Sequence, residues 1–211
     1  MIVALEYSST NNMNPCVTRS FRIIEWRLVS LHQVDEQVET KRKHRKRHPI
    51  SGMIQEIARL LRPILRGNPT ANVFVEQQST RARDDMHKLA YATLGVCSGL
   101  CDSDAQTASF ISASSKSSMI QPHLPDLLPT GKPTYAQRKR AGIEACRALL
   151  VENGACETWL ERFDAAPKKD DLADSLLLAV AALSRDVKAD RVVAIDVGST
   201  NFGLMVMEAT A

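Results

Sequence analysis

Val192-Val193-Ala194-Ile195-Asp196-Val197-Gly198-Ser199-Thr200-Asn201 sets a single acid inside an otherwise apolar run and then turns at once. A lone carboxylate in an apolar strand is costly unless it is paired or bound to a cation. The run itself needs apolar cover on both faces, which a strand in the middle of a helix-flanked sheet obtains. Arg191 to Met207 therefore reads as a strand, a tight turn and a second strand, with Asp196 where the first strand ends.

Upstream lies a second concentration of acids, Lys168-Lys169-Asp170-Asp171-Leu172-Ala173-Asp174-Ser175, at the start of a helix read from Pro167 to Leu183. At about 100° per residue, Asp170, Asp171 and Asp174 share one arc of the helix. Leu172, Leu176, Ala179, Val180 and Leu183 take the opposite side and supply the packing stripe. Acids in a first helical turn complement the helix dipole. Three together also repel, and a divalent cation compensates them. The third such place is Glu76, which follows directly on Asn72-Val73-Phe74-Val75, a short strand of buried type. Carboxylate oxygens with no histidine nearby favour Mg²⁺ or Mn²⁺ over zinc. Two such ions can activate a water and stabilise the leaving oxygen in phosphodiester hydrolysis.

The remaining sequence supplies the frame. Phe21 to Leu31 is rich in β-branched and aromatic residues and reads as a strand. Ser51 is placed to cap a helix running through Met53, Ile57, Leu61 and Ile64, and Gly67-Asn68-Pro69 ends it. Asp84 to Cys97 predicts a helix, Ala108 to Ala113 a short strand, and residues 114–133, with many Ser and Pro, a loop. Tyr135 to Leu150 predicts another helix, stopped by Asn153-Gly154. Strands alternating with helices in a chain of 211 residues point to one α/β domain spanning 1–211.

The apolar fraction of 44% fits a globular protein, and no run approaches the roughly 18 to 20 apolar residues of a membrane span. Met1 to Tyr7 lacks the basic and apolar regions of a secretory signal. Five scattered cysteines (Cys16, Cys97, Cys101, Cys146, Cys156) read as reduced thiols of an intracellular protein, with no compartment specified. Lys41, Arg42, Lys43, Arg45, Lys46 and Arg47 crowd into the polar segment 33–48, and removing their six charges turns the formal +3 of the chain into −3. Such a block suits a polyanion, because it neutralises several phosphates and releases their counterions; a nuclear import signal or a solvated loop are its other readings. His87 and His123 read as surface or structural residues, Trp26 and Trp159 as core.

The acidic helix resembles the C-terminal motif of the poxvirus and fungal mitochondrial Holliday junction resolvases, a RuvC-like branch of the RNase H superfamily. Val75-Glu76-Gln77-Gln78 resembles that family's strand ending in a catalytic Glu, and Ala194 to Asn201 its opening Asp-x-Gly-x-x-Asn turn. The helix from Tyr135, with Arg138, Lys139 and Arg140, is similar to the basic helix that precedes the acidic motif. The resemblance implies an RNase H-like (retroviral-integrase-like) fold, a homodimer acting on branched DNA, and paired nicks across a four-way junction. It makes Asp196, Glu76, Asp171 and Asp174 the catalytic ligands of about two metal ions, with Asp170 a further metal candidate. The basic residues at 41–47 and 138–140 become DNA contacts.

In that family the Asp-x-Gly strand opens the fold, whereas here it comes late in the sequence. A circular permutation accounts for this, with the hairpin from Val192 to Glu208 supplying the first two strands. Three other readings stay open. An actin-like ATPase or sugar kinase uses a similar phosphate turn but needs further nucleotide loops, and ten residues follow Asn201. An RNase H-fold nuclease of broader specificity would share the metal site. A non-catalytic DNA-binding module on the same fold would keep the basic surface alone.

Overall fold

A computed structural model describes residues 20–30, 50–80, 82–101, 104–120, 134–154, 157–185, 189–198 and 201–210. The basic block Lys41 to Arg47 lies outside the described residues, as do Cys16, Cys156, His123 and residues 121–133 of the Ser- and Pro-rich stretch. Along the chain the elements are β1 (Phe21–Ser30), α1 (Ile50–Gly67), β2 (Asn72–Gln77), α2 (Asp84–Leu100), β3 (Ala108–Ser112), α3 (Ser114–Ile120), α4 (Tyr135–Glu152), α5 (Glu157–Ala165), α6 (Lys169–Arg185), β4 (Arg191–Val197) and β5 (Asn201–Ala209).

The five strands form one mixed sheet in the order β1-β5-β4-β2-β3. β1 and β4 run antiparallel to β5; β2 lies parallel to both β4 and β3. The late hairpin β4–β5 therefore occupies the middle of the sheet, where its apolar sequence demands to be: Val192 to Ile195 are fully buried.

Side chains alternate between the faces of a strand, and this sorts the core into two layers. Val73, Val75, Val193, Ile195, Phe202 and Leu204 meet Ile57, Leu61 and Leu65 of α1 and Leu89 and Cys97 of α2. Phe74, Val192, Ala194, Met205 and Met207 face the other way, toward α6 and the helices packed against it. By the same alternation Glu76 follows Phe74 and Asp196 follows Ala194 onto the α6 face.

Several local expectations are corrected. Ser51 does not cap α1, which already includes Ile50. Residues 114–120 are a helix, not a loop: Ser-rich sequence has weak helical preference, but burial of Met119 and packing of Ile120 against the core outweigh it. α5 was not foreseen; Trp159, Leu160 and Phe163 give it one apolar face, and Phe163 stacks on Trp26 with ring centroids 5.5 Å apart. α6 does not divide into an apolar and a polar side. Leu176 to Leu183 are buried all round because the helix is held between the sheet and its neighbouring helices, and carboxylates emerge only from its first turns.

β1 carries an irregularity between Ile23 and Glu25. The extra residue switches the inward positions from Phe21 and Ile23 to Trp26, leaving Ile24 exposed. Helix α4 starts with a capping box in which Thr134 Oγ1 accepts from the Gln137 backbone N–H and Gln137 Oε1 accepts from that of Thr134. It stops at Asn153 before Gly154, whose φ of 62° suits glycine. The Asn153 side chain then bonds both backbone groups of Phe21, fastening β1 to α4.

Candidate active site

Parallel strands deliver the first two acids to one place. The β2–β4 ladder pairs Val75 with Ile195, so Glu76 and Asp196 are the next residues on adjacent strands, both at the C-terminal end. Gln78 continues the link beyond the ladder, its Nε2 donating to the Val197 carbonyl at 3.1 Å.

The next two acids come from α6, which crosses the same face. Asp196 is paired with Gly203 on β5, and a Cβ on Gly203 would stand 2.7 Å from the Asp171 carbonyl oxygen and 3.0 Å from Ser175 Cβ. Only a residue without a side chain permits that approach. The helix is also held from the far edge of the sheet. Trp26 Nε1 donates to the Leu172 carbonyl at 3.2 Å and to Ser175 Oγ at 3.1 Å, and Ser175 Oγ donates back to Leu172 at 2.8 Å. Asp171 and Asp174 each directly precede one residue of this buried anchor, so their backbone is fixed relative to Asp196.

At the centre stands a cation that the sequence did not announce. Lys116 of α3 places its ammonium 3.1 Å from Glu76 Oε1 and 3.2 Å from Asp174 Oδ1, with its side chain only 12% exposed. Burial alone would lower its pKa; the charges of Asp196, Glu76 and Asp174 outweigh this and raise it above the usual lysine range. The carboxyls show the opposite strain. Burial, then the charge of Glu76 and a hydrogen bond shared with it, push Asp196 well up against the pull of Lys116. Burial pushes Asp174 to about 6, again opposed by Lys116. Its side chain keeps 41% of its surface open, so water tempers that rise. Asp171 is raised by burial and by the adjacent Asp170, while Asn201 Nδ2 reaches it at 3.4 Å and works the other way.

Asp170 stands apart from these four. It forms an ion pair with Lys139 of α4, which overcomes the effect of burial and keeps its pKa low. Arg138 and Arg140 on either side of Lys139 are exposed. His87 lies on α2, in the layer across the sheet from the carboxylates.

The structure thus draws Glu76, Asp174 and Asp196 around one ammonium, with Asp171 next to them and Asp170 turned to a separate partner. Among the described residues, no three acidic, histidine or cysteine side chains are gathered tightly enough to cage an ion as they stand. The donor set still suits a hard divalent cation: oxygen only, more carboxylates than one lysine neutralises, and three carboxyls, Asp171, Asp174 and Asp196, whose pKa values are raised by burial and by the charge of neighbouring carboxylates. Lys116 was missed because Ser114-Ser115-Lys116-Ser117-Ser118 carries no local sign of burial. Gly203 was missed because it reads as one more residue of a strand. No family model, curated protein or solved structure matches the chain. No described helix is long and apolar enough to cross a membrane.

Proposed function

We propose that this protein is a metal-dependent endonuclease with an RNase H-like fold that resolves four-way DNA junctions. One observation carries the reading: acids at the ends of two adjacent central strands, Glu76 and Asp196, share a cation with Asp174 of a helix crossing the same face. The sheet supports it. Counted from the β4–β5 hairpin, the order runs third, second, first, fourth, fifth, with three antiparallel strands continued by two parallel ones. A helix-flanked mixed sheet with the late hairpin in its middle supports the reading of a circularly permuted RNase H-like chain.

Glu76, Asp171, Asp174 and Asp196 would hold Mg²⁺ or Mn²⁺. When bound, a metal pair supplies positive charge at the scissile phosphate and an activated water. The chain's own part is positional. Gln78 keeps the two strand ends together, Gly203 lets α6 approach, and Trp26 with Ser175 fixes the turn that carries Asp171 and Asp174. Asp170, engaged by Lys139, fits a role outside the ligand set. Arg138 and Arg140, with the block at Lys41 to Arg47, are the proposed DNA contacts. Two such sites in a homodimer would make the paired nicks.

A second reading draws on Lys116. An ammonium already among the acids suits a DNA-binding module in which the cluster is permanently neutralised and no metal enters. Incubating a mobile four-way junction, a flap, a linear duplex and an RNA–DNA hybrid with protein and Mg²⁺ separates the two. Nicking selective for the junction is expected, lost in Glu76→Gln, Asp171→Asn, Asp174→Asn and Asp196→Asn while junction binding persists. Equal cleavage of all four substrates would favour a broader nuclease, and binding without cleavage the inert module. A variant that nicks at the wild-type rate would remove its residue from the site.

A further inference from the structure

Tyr135 is the first residue of α4, and its side chain is among the most open of the large apolar groups at 67% exposure. It is not a solitary surface ring. Lys139, one helical turn on, sets its ammonium 5.0 Å from the ring centroid, and the same ammonium pairs with Asp170. Asp170 in turn directly precedes Asp171 in the first turn of α6, beside the carboxylate cluster. A chain of contacts therefore leads from an exposed aromatic face, through a cation, to the edge of the candidate site. Arg138 adds an exposed positive charge alongside.

An open aromatic ring beside fixed cations is the chemistry that receives a nucleotide taken out of its stack. The base lies on the ring, the phosphate meets the cations, and the contact tolerates any base because each has a π-face. We propose that Tyr135, Lys139 and Arg138 form a platform for one unstacked nucleotide of the DNA strand entering the carboxylate site. Its base rests on the face of Tyr135 turned away from Lys139. This rests on the nuclease reading above and extends it to how a strand is held next to the reacting phosphate. When the arms of a junction part, a branch-point nucleotide loses one stacking neighbour, and it then costs less to splay than one within a duplex. The platform would thus favour branched over linear DNA.

The test is binding and nicking of four-way junctions carrying a single abasic nucleotide, moved stepwise through the positions around the nick. Binding is measured with Ca²⁺ in place of Mg²⁺. Wild type should lose about tenfold in affinity at one position. Tyr135→Ala should show that loss on the intact junction and none further when the abasic nucleotide occupies that position. Tyr135→Phe should keep the position-specific abasic loss of wild type, because stacking uses the ring; removing the hydroxyl's hydrogen bond to Lys139 should weaken every substrate alike. Wild type that nicks the junction while Tyr135→Ala binds unimpaired, or is weakened equally on every abasic substrate, overturns the platform and leaves the nuclease reading standing. Wild type that nicks no branched DNA overturns both.

Discussion

Replacing Gly203 with Ala tests how the site is assembled without touching a carboxylate. The new Cβ would lie 2.7 Å from the Asp171 carbonyl oxygen and 3.0 Å from Ser175 Cβ. Ordinary contact begins near 3.4 Å, so α6 must withdraw from β5 by roughly 0.7 Å, and a backbone oxygen has no rotamer through which to yield. Overpacking of this kind costs about 1–3 kcal/mol, which in a chain of this size lowers the melting temperature by about 2–4 °C per kcal/mol. The withdrawal carries Asp171 and Asp174 away from Asp196, which stays on the sheet. Misplacement approaching 1 Å at a reacting centre can cost on the order of 10²-fold in rate. The variant should therefore remain folded, melt several degrees lower and nick a four-way junction on the order of 10²-fold more slowly. Calorimetry and a single-turnover cleavage assay measure the two effects on one preparation. An alanine variant that melts with the wild type would show that α6 does not press on β5 here. One that melts lower but cleaves normally would show that the helix does not set the geometry of the acids.

Lys116→Met removes the cation from a cluster whose remaining charges are all negative, and breaking a buried pair in this way costs about 3–5 kcal/mol. Melting in EDTA should fall sharply, and Mg²⁺ should restore more stability to the variant than it adds to wild type; equal melting of the two proteins in EDTA would argue against the placement of Lys116. The pH dependence of the metal-free protein should also be unusual. With the Asp174 pKa raised from 3.8 to about 6, the folded state keeps a proton that the unfolded state releases, so its contribution to stability falls as pH rises between those values and is level above them. The stability of wild type minus that of Asp174→Asn, measured by urea unfolding in EDTA from pH 4 to 7, should decline and then flatten. A difference that rises with pH would place Asp174 among ordinary paired carboxylates.

What the sequence made legible was whatever violates a local rule. Asp196 in an apolar strand and Glu76 at the end of another announced themselves because a buried charge is hard to explain otherwise, and alternation along the strands turned both to one face. The acids of α6 were readable for the same reason. What depends on partners distant in sequence was not readable. Lys116 sits among serines, and its burial is decided by Glu76 and Asp174. The pairing of Asp170 with Lys139 joins helices 31 positions apart. α6 was read as two-sided because a Leu stripe describes a helix on a surface, whereas this one is covered on every side beyond its first turns. The bulge near Ile24 leaves no mark in a run of strand-forming residues.

The middle position of β4 and β5 bears on how the chain is made. A ribosome delivers β1, β2 and β3 first, yet β1 and β2 are never neighbours; the two strands that separate them are synthesised last of the five. Until then a nascent chain has a gap two strands wide, with unpaired edges on both sides that invite pairing with another chain. Closing it joins residues as remote as Arg22 and Glu208, 186 positions apart, and contacts of such separation slow folding. Assembly of the sheet should therefore wait for the hairpin, and only when β4 and β5 slot into place are the inner edges of β1 and β2 paired.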